Sequence, residues 1–142
     1  MKTYLDSSFI CSLYVRDANH PSAIATLANA RSTLLLSGLG ELEVTNAVEL
    51  GVFRGSLRRS EADQIQAAFQ QDVQDGIFQV FDLDTTAFLQ TRKLILQHSS
   101  MVGCRTADIL HVAAALECGA DMFFSFDLRQ KELARRVRLQ TN

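Results

Sequence analysis

Proline is almost missing from this chain, with one residue in 142. Apolar residues make up 47% and charged residues 21%, so the profile is that of a helix-rich globular protein and excludes disordered or fibrous classes. Cysteine is scarce too. Cys11, Cys104 and Cys118 are odd in number, far apart and never arranged as CxxC, which argues against a disulfide framework and for buried thiols of a reduced, intracellular protein. An excess of either charge is also lacking. The formal net charge is −2, so any grip on phosphates must come from local patches or metal ions. No apolar run reaches the roughly 18 residues that a membrane span needs, and Asp6 interrupts the first apolar stretch before it could act as a signal. These absences lead to the expectation of a cytoplasmic protein with no membrane partner, folded as a single domain over residues 1–142.

What is present is a regular alternation of short apolar strands and longer helical patterns. "TYL" (3–5), "TLLLS" (33–37), "IFQVF" (77–81) and "MFFS" (122–125) read as strands. Helices are predicted for "SSFICSLYV", for "HPSAIATLANA" behind an Asn19 cap, and for "GELEVTNAVELGVF". Ser60 is expected to cap "EADQIQAAFQQDVQD", whose apolar side carries Ile65, Phe69 and Val73. Asp84 starts "TTAFLQTRKLILQ", "TADILHVAAALECG" closes at Gly119, and "LRQKELARRV" ends the pattern. Near-continuous apolar strands separated by helices predict an α/β fold, with a central, mainly parallel sheet between two layers of helix. In such sheets ligands gather beyond the carboxyl ends of the strands.

Four acidic residues fall at that edge. Asp6 ends the first strand, Glu43 lies early in the helix after the second, Asp108 opens "DILHVAAAL" with Thr106 expected as the cap, and Asp127 follows "MFFS". Carboxylates are favoured at helix starts by capping and by the helix dipole, and Asp84 is expected to do only that. Asp6 and Asp108 differ because they sit in apolar sequence, with Arg105 the one cation nearby. Converging carboxylates repel unless a divalent cation neutralises them, and an oxygen-only donor set suits Mg²⁺ or Mn²⁺. Glu41 and Glu43 point about 200° apart on a helix. Only one can face the rim, and Glu43, on the face of Asn46, is chosen. His111, three residues after Asp108, is expected to pack or to form a hydrogen bond. His20 and His98 are expected in polar turns. Ser7 reads as a helix cap, while Ser125 could cap a helix or orient water. The basic clusters Arg54, Arg58, Arg59 and Arg129 to Arg138 read equally as solvated faces or as arms for a phosphate backbone.

"YLDSSFI", "SGLGELEVTNAV", "CRTADILHVAAAL" and "GADMFFSFDLRQKELA" together resemble the PIN-domain ribonucleases, in particular the VapC-type toxins. The resemblance spans essentially the whole chain. The family's Asp followed by a small hydroxyl residue is matched by Asp6 and Ser7, its Glu before an aliphatic residue by Glu43, its "DaLHlAaAl" pattern by "DILHVAAAL", and its "[TS]-x-D" by Ser125 and Asp127. It implies a three-layer α/β/α sandwich and metal-dependent endonucleolytic cleavage of RNA, with Asp6, Glu43, Asp108 and Asp127 holding Mg²⁺ or Mn²⁺. Ser125, Ser7 and Asn46 are possible accessories. It also implies a cognate antitoxin protein and a homodimer, for which the apolar residues of "IQAAFQQDV" are a candidate surface. Two other readings compete. A haloacid-dehalogenase-type phosphatase needs a second Asp where Ser8 stands. A non-catalytic module of the same fold, pairing with a protein or RNA, would show no saturable ion site.

Overall fold

The computed structural model describes residues 1–142. Five strands, β1 (Lys2–Leu5), β2 (Thr33–Ser37), β3 (Phe78–Phe81), β4 (Met122–Phe124) and β5 (Gln140–Thr141), form one sheet in the order β3-β2-β1-β4-β5. Every neighbouring pair is parallel. Seven helices complete the chain: α1 (Ser7–Tyr14), α2 (His20–Asn29), α3 (Gly38–Phe53), α4 (Arg59–Gln74), α5 (Thr85–Val102), α6 (Thr106–Glu117) and α7 (Leu128–Arg136). The result is a three-layer α/β/α sandwich.

Adjacent residues of the central strands supply two separate cores, because successive side chains on a strand point to opposite faces. Tyr4, Leu35 and Phe123 pack with Leu94, Ile109, Val112 and Leu133 of α5, α6 and α7. Their neighbours Leu5, Leu36 and Phe124 pack on the other face with Phe9, Ala23, Val44 and Phe69 of α1 to α4. A register slip of one residue in β1 would exchange Tyr4 and Leu5 between the cores, so burial on both faces fixes the pairing. α6 is buried continuously from Ile109 to Ala115, which explains why its sequence is apolar on every side.

Several expected boundaries move. α4 starts at Arg59 rather than after Ser60, because the Glu61 carboxylate accepts the Arg58 N–H at 2.7 Å and closes the first turn there. Asn19 precedes α2 without a side-chain capping bond. Its own N–H donates instead to Asp17 Oδ1 at 2.9 Å. Thr106 is not a cap: Arg105 holds the extended capping conformation and Thr106 is the first helical residue. α5 runs on to Val102, since Ile95 and Val102 still reach the core. His20 therefore opens α2 and His98 lies within α5, neither in a turn. Phe69 is buried and Val73 packs on the core, so these two apolar residues of α4 face inward, while Ile65 is partly exposed and Ala67 and Ala68 are exposed.

The basic tail has a structural role that its sequence hides. Arg138 takes a left-handed φ of 69°, and this turn drops Leu139 into the core at 5% exposure. Gln140 and Thr141 then run beside Met122 and Phe123 as β5. The cysteines are free and half-buried. No helix is long and apolar enough to cross a membrane.

Candidate active site

Asp6 stands at the carboxyl end of β1, where its main chain leaves the sheet and its side chain caps α1. It is 4% exposed, and a carboxylate so buried is costly unless donors surround it. Its Oδ2 accepts the Ser8 N–H at 3.1 Å and the Ser8 hydroxyl at 2.5 Å, and lies 3.1 Å from the Ser125 hydroxyl. Its Oδ1 lies 3.4 Å from Gln130 Nε2 and 3.8 Å from His111 Nε2. No lysine or arginine pairs with it. The cap expected of Ser7 is thus supplied by Asp6 itself, and Ser8 is the serine that engages.

Ser125 and Gln130 build the floor of the site. Both are completely buried. Ser125 Oγ lies 2.7 Å from Gln130 Oε1 and accepts the Asp127 N–H at 3.0 Å. Gln130 Nε2 donates to the main-chain carbonyl of Asp108 at 3.1 Å. One amide therefore ties α7 to β1, β4 and α6. Asp127 caps α7 through Oδ1, which accepts the Gln130 N–H at 2.9 Å.

Asp108 is only slightly exposed and is paired with Arg105, whose Nε lies 3.0 Å from Oδ2. The arginine itself is 83% exposed. Glu43, half-buried on α3, accepts a hydrogen bond from His111 Nε2. His111 Nδ1 lies 2.7 Å from the Tyr4 hydroxyl, which lies 2.8 Å from Ser37 Oγ. An ionised Glu43 only accepts, so Nε2 carries a hydrogen. Burial by itself would lower the pKa of His111, but the bond to Glu43 and the carboxylates of Asp6 and Asp108 outweigh it and raise the value. Asn46 is exposed on the next turn of α3.

All four predicted acidic residues thus lie at the carboxyl edge of the sheet, where His111 lies between Glu43 and Asp6 and Gln130 meets the Asp6 carboxylate, the Asp108 main chain and the Asp127 cap. They are not drawn into a tight cage: no three His, Cys, Asp or Glu side chains converge closely enough to hold an ion in this conformation. The donor chemistry nevertheless fits a hard divalent cation, because every candidate ligand is a carboxylate oxygen. The bond that holds Asp108 aside is to an exposed arginine, and such pairs are worth only about 0–1 kcal/mol. The rim is open. The largest cleft, about 560 Å³, lies between α1 and α4, and none of the clefts is lined by Asp6, Glu43, Asp108 or Asp127.

Sequence reasoning missed Gln130 altogether and left His111 without a partner. The spacing of Gln130, Leu133 and Ala134 on one face of α7 was a usable signal, since all three are buried.

The PIN domain family profile matches residues 3–136. No curated protein matches the chain in sequence. Among solved structures, the chain is similar to FitAcB from Neisseria gonorrhoeae, at 15% identity and a TM-score of 0.74, covering 98% of this chain and 95% of that one. It is also similar to Mycobacterium tuberculosis VapC20, described as a sarcin-ricin loop cleaving toxin, at 17% identity and a TM-score of 0.70, over 92% and 93% of the two chains. VapBC2 from Rickettsia felis, solved bound to a DNA fragment from its promoter, matches at 14% identity and a TM-score of 0.68, over 100% and 98%.

Proposed function

The chain belongs to the PIN-domain family, and from that premise we propose that it is a Mg²⁺- or Mn²⁺-dependent endoribonuclease, the toxin of a toxin–antitoxin pair. The observation that carries this reading is Asp6: a buried carboxylate at a strand end, held by neutral donors and unpaired with any lysine or arginine. Asp6, Glu43, Asp108 and Asp127 would hold the ion. When bound, the ion supplies charge neutralisation for the phosphate and acidifies water for attack at phosphorus.

The chain's own residues prepare that chemistry. Ser8, Ser125 and Gln130 orient Asp6, and His111 orients Glu43. Arg105, exposed beside Asp108, and Arg129, whose Nη1 donates to the Gly103 carbonyl at 3.2 Å, are placed to meet RNA phosphates. None of the clefts is lined by the four carboxylates, whereas a small-molecule substrate is ordinarily enclosed in one. No serine or cysteine at the rim is paired with a histidine base; the Ser8 and Ser125 hydroxyls meet the Asp6 carboxylate and serve to hold it. The reading extends to a cognate antitoxin protein that blocks the rim, to pairing of two copies, and to a cytoplasmic site of action.

Asp6→Asn tests it. The variant should fold, melt cooperatively and fail to cleave RNA with Mg²⁺ or Mn²⁺ present, while calorimetry finds the saturable ion site of the parent protein weakened. Full cleavage by Asp6→Asn overturns the mechanism. A parent protein with no saturable site leaves the non-catalytic binding module instead.

A further inference from the structure

Tyr4 is fully buried in β1, two residues before Asp6. Its ring stacks on Phe123 with centroids 5.5 Å apart and meets His111 edge-on at 5.9 Å. Packing alone would be served by phenylalanine, yet a hydroxyl has been carried into the core. Burial pushes its pKa well above the ordinary tyrosine value, so it remains a neutral hydroxyl. It lies 2.8 Å from Ser37 Oγ and 2.7 Å from His111 Nδ1, ordinary hydrogen-bond lengths on both sides.

Those two partners lead to the same helix. Ser37 is the N-cap of α3, and its Oγ accepts the Gly40 N–H at 3.2 Å. Glu43, on the second turn of α3, accepts from His111 Nε2. Ser37, Tyr4, His111 and Glu43 therefore form a chain of side chains from β2, β1, α6 and α3, closed into a ring only through the first turns of α3. Gly40 completes the fit: a Cβ there would lie 3.6 Å from His111 Cε1 and collide with Leu36 Cδ1 at 2.4 Å. The hydrogens can be assigned around the ring. A neutral His111 protonated on Nε2 accepts from Tyr4, which accepts from Ser37. A doubly protonated ring donates to Tyr4, which donates to Ser37. In either case a flipped imidazole would turn carbon toward both Glu43 and Tyr4 and forfeit two buried bonds.

We propose that Tyr4 is a positioning residue of the site, fixing the Glu43 carboxylate through His111. This rests on the reading of Glu43 as an ion-holding group. Partners one shell behind a ligand commonly change ion affinity or activity by roughly 10–100-fold when removed. Tyr4→Phe deletes one oxygen and keeps the ring.

The test is a double-mutant cycle on the full chain, with Mn²⁺ affinity by calorimetry and RNA cleavage as readouts. Tyr4→Phe should raise the Kd for Mn²⁺ by about tenfold or more and lower kcat with KM unchanged. In a Glu43→Gln background it should change the Kd little, because the group it positions is gone. In ion-free protein, the His111 Nε2–H resonance should be protected from solvent exchange in the parent and lose that protection in Tyr4→Phe. Equal losses in both backgrounds, or unchanged affinity and protection, overturn the proposal. Should Tyr4→Phe fail to fold, Ser37→Ala enters the same cycle, and no shift in Kd there counts against the ring. A parent that binds no Mn²⁺ defeats the nuclease reading instead, and the Nε2–H resonance then decides the role of Tyr4 by itself.

Discussion

Gln130 holds Asp6 across 124 residues of sequence, with Nε2 of the amide 3.4 Å from the carboxylate Oδ1. The same nitrogen donates to the Asp108 carbonyl, and the amide oxygen faces the Ser125 hydroxyl. A single buried side chain thus sets the relative positions of three candidate site elements. Leucine has a similar size but no polar atoms. Gln130→Leu should destabilise the fold by about 1–3 kcal/mol, the penalty for stranding buried polar groups, measured as a lower urea midpoint at unchanged slope. RNA cleavage should fall further than stability accounts for. A variant as stable and active as the parent would show that the amide merely fills space.

In the proposed site, Arg105 would compete with the ion for Asp108. It pairs with Asp108 at 3.0 Å while remaining mostly in solvent, so its contribution to folding is small. Arg105→Ala should leave stability within about 0.5 kcal/mol of the parent. It should move the two binding reactions in opposite directions. Mn²⁺ binding tightens because Asp108 is released, whereas RNA binding weakens and loses part of its salt dependence. Calorimetry and a salt titration of RNA binding check this, and parallel changes in both would refute the competition.

His111 predicts a pH dependence for the ion-free protein. Its pKa is raised, with the Glu43 bond and nearby carboxylates overcoming the opposing effect of burial. A raised histidine pKa means that the folded state binds the proton more tightly than the unfolded chain. The stabilisation is therefore complete below the unfolded value of about 6.5 and is lost as pH rises through the folded value. Melting temperatures in EDTA should show the parent's advantage over His111→Gln shrinking as pH rises above neutrality. An advantage that grows over that range would reverse the assigned shift.

Much of this arrangement can be read from the sequence because it is local. Apolar runs mark the four longer strands; Asp6 follows β1 directly, Asp127 comes three residues after the end of β4, and each caps the next helix. The capping role expected of Asp84 holds too, with its carboxylate accepting from Thr86 and Ala87. The start of α4 is harder, because Glu61 reaching back to the Arg58 N–H outweighs the capping preference of Ser60. The contacts that orient the site are harder still. Tyr4 and His111 are 107 residues apart, and neither has a local pattern that names the other. Hydrogen bonds between distant elements leave no periodic trace, so residue type alone points only to the carboxylates.

β5 is the least legible element, and it carries the last prediction. Gln140 and Thr141 form no apolar run, but Leu139 is buried beside them and Asn142 Oδ1 accepts the Ser125 N–H at 3.0 Å. The tail therefore supports the floor of the site through the main chain of Ser125. Leu139→Ala should cost about 2–5 kcal/mol as a core truncation, whereas Asn142→Ala should cost about 1 kcal/mol, the net worth of one hydrogen bond. The two losses differ in kind. Leu139→Ala should lower the melting temperature sharply yet keep the activity of the folded fraction. Asn142→Ala should melt near the parent but cleave more slowly, because Ser125 is then less firmly placed beneath Asp6. Melting curves and cleavage rates measured well below the transition separate these effects. If Asn142→Ala cleaves as fast as the parent, β5 stabilises the sheet without tuning the site.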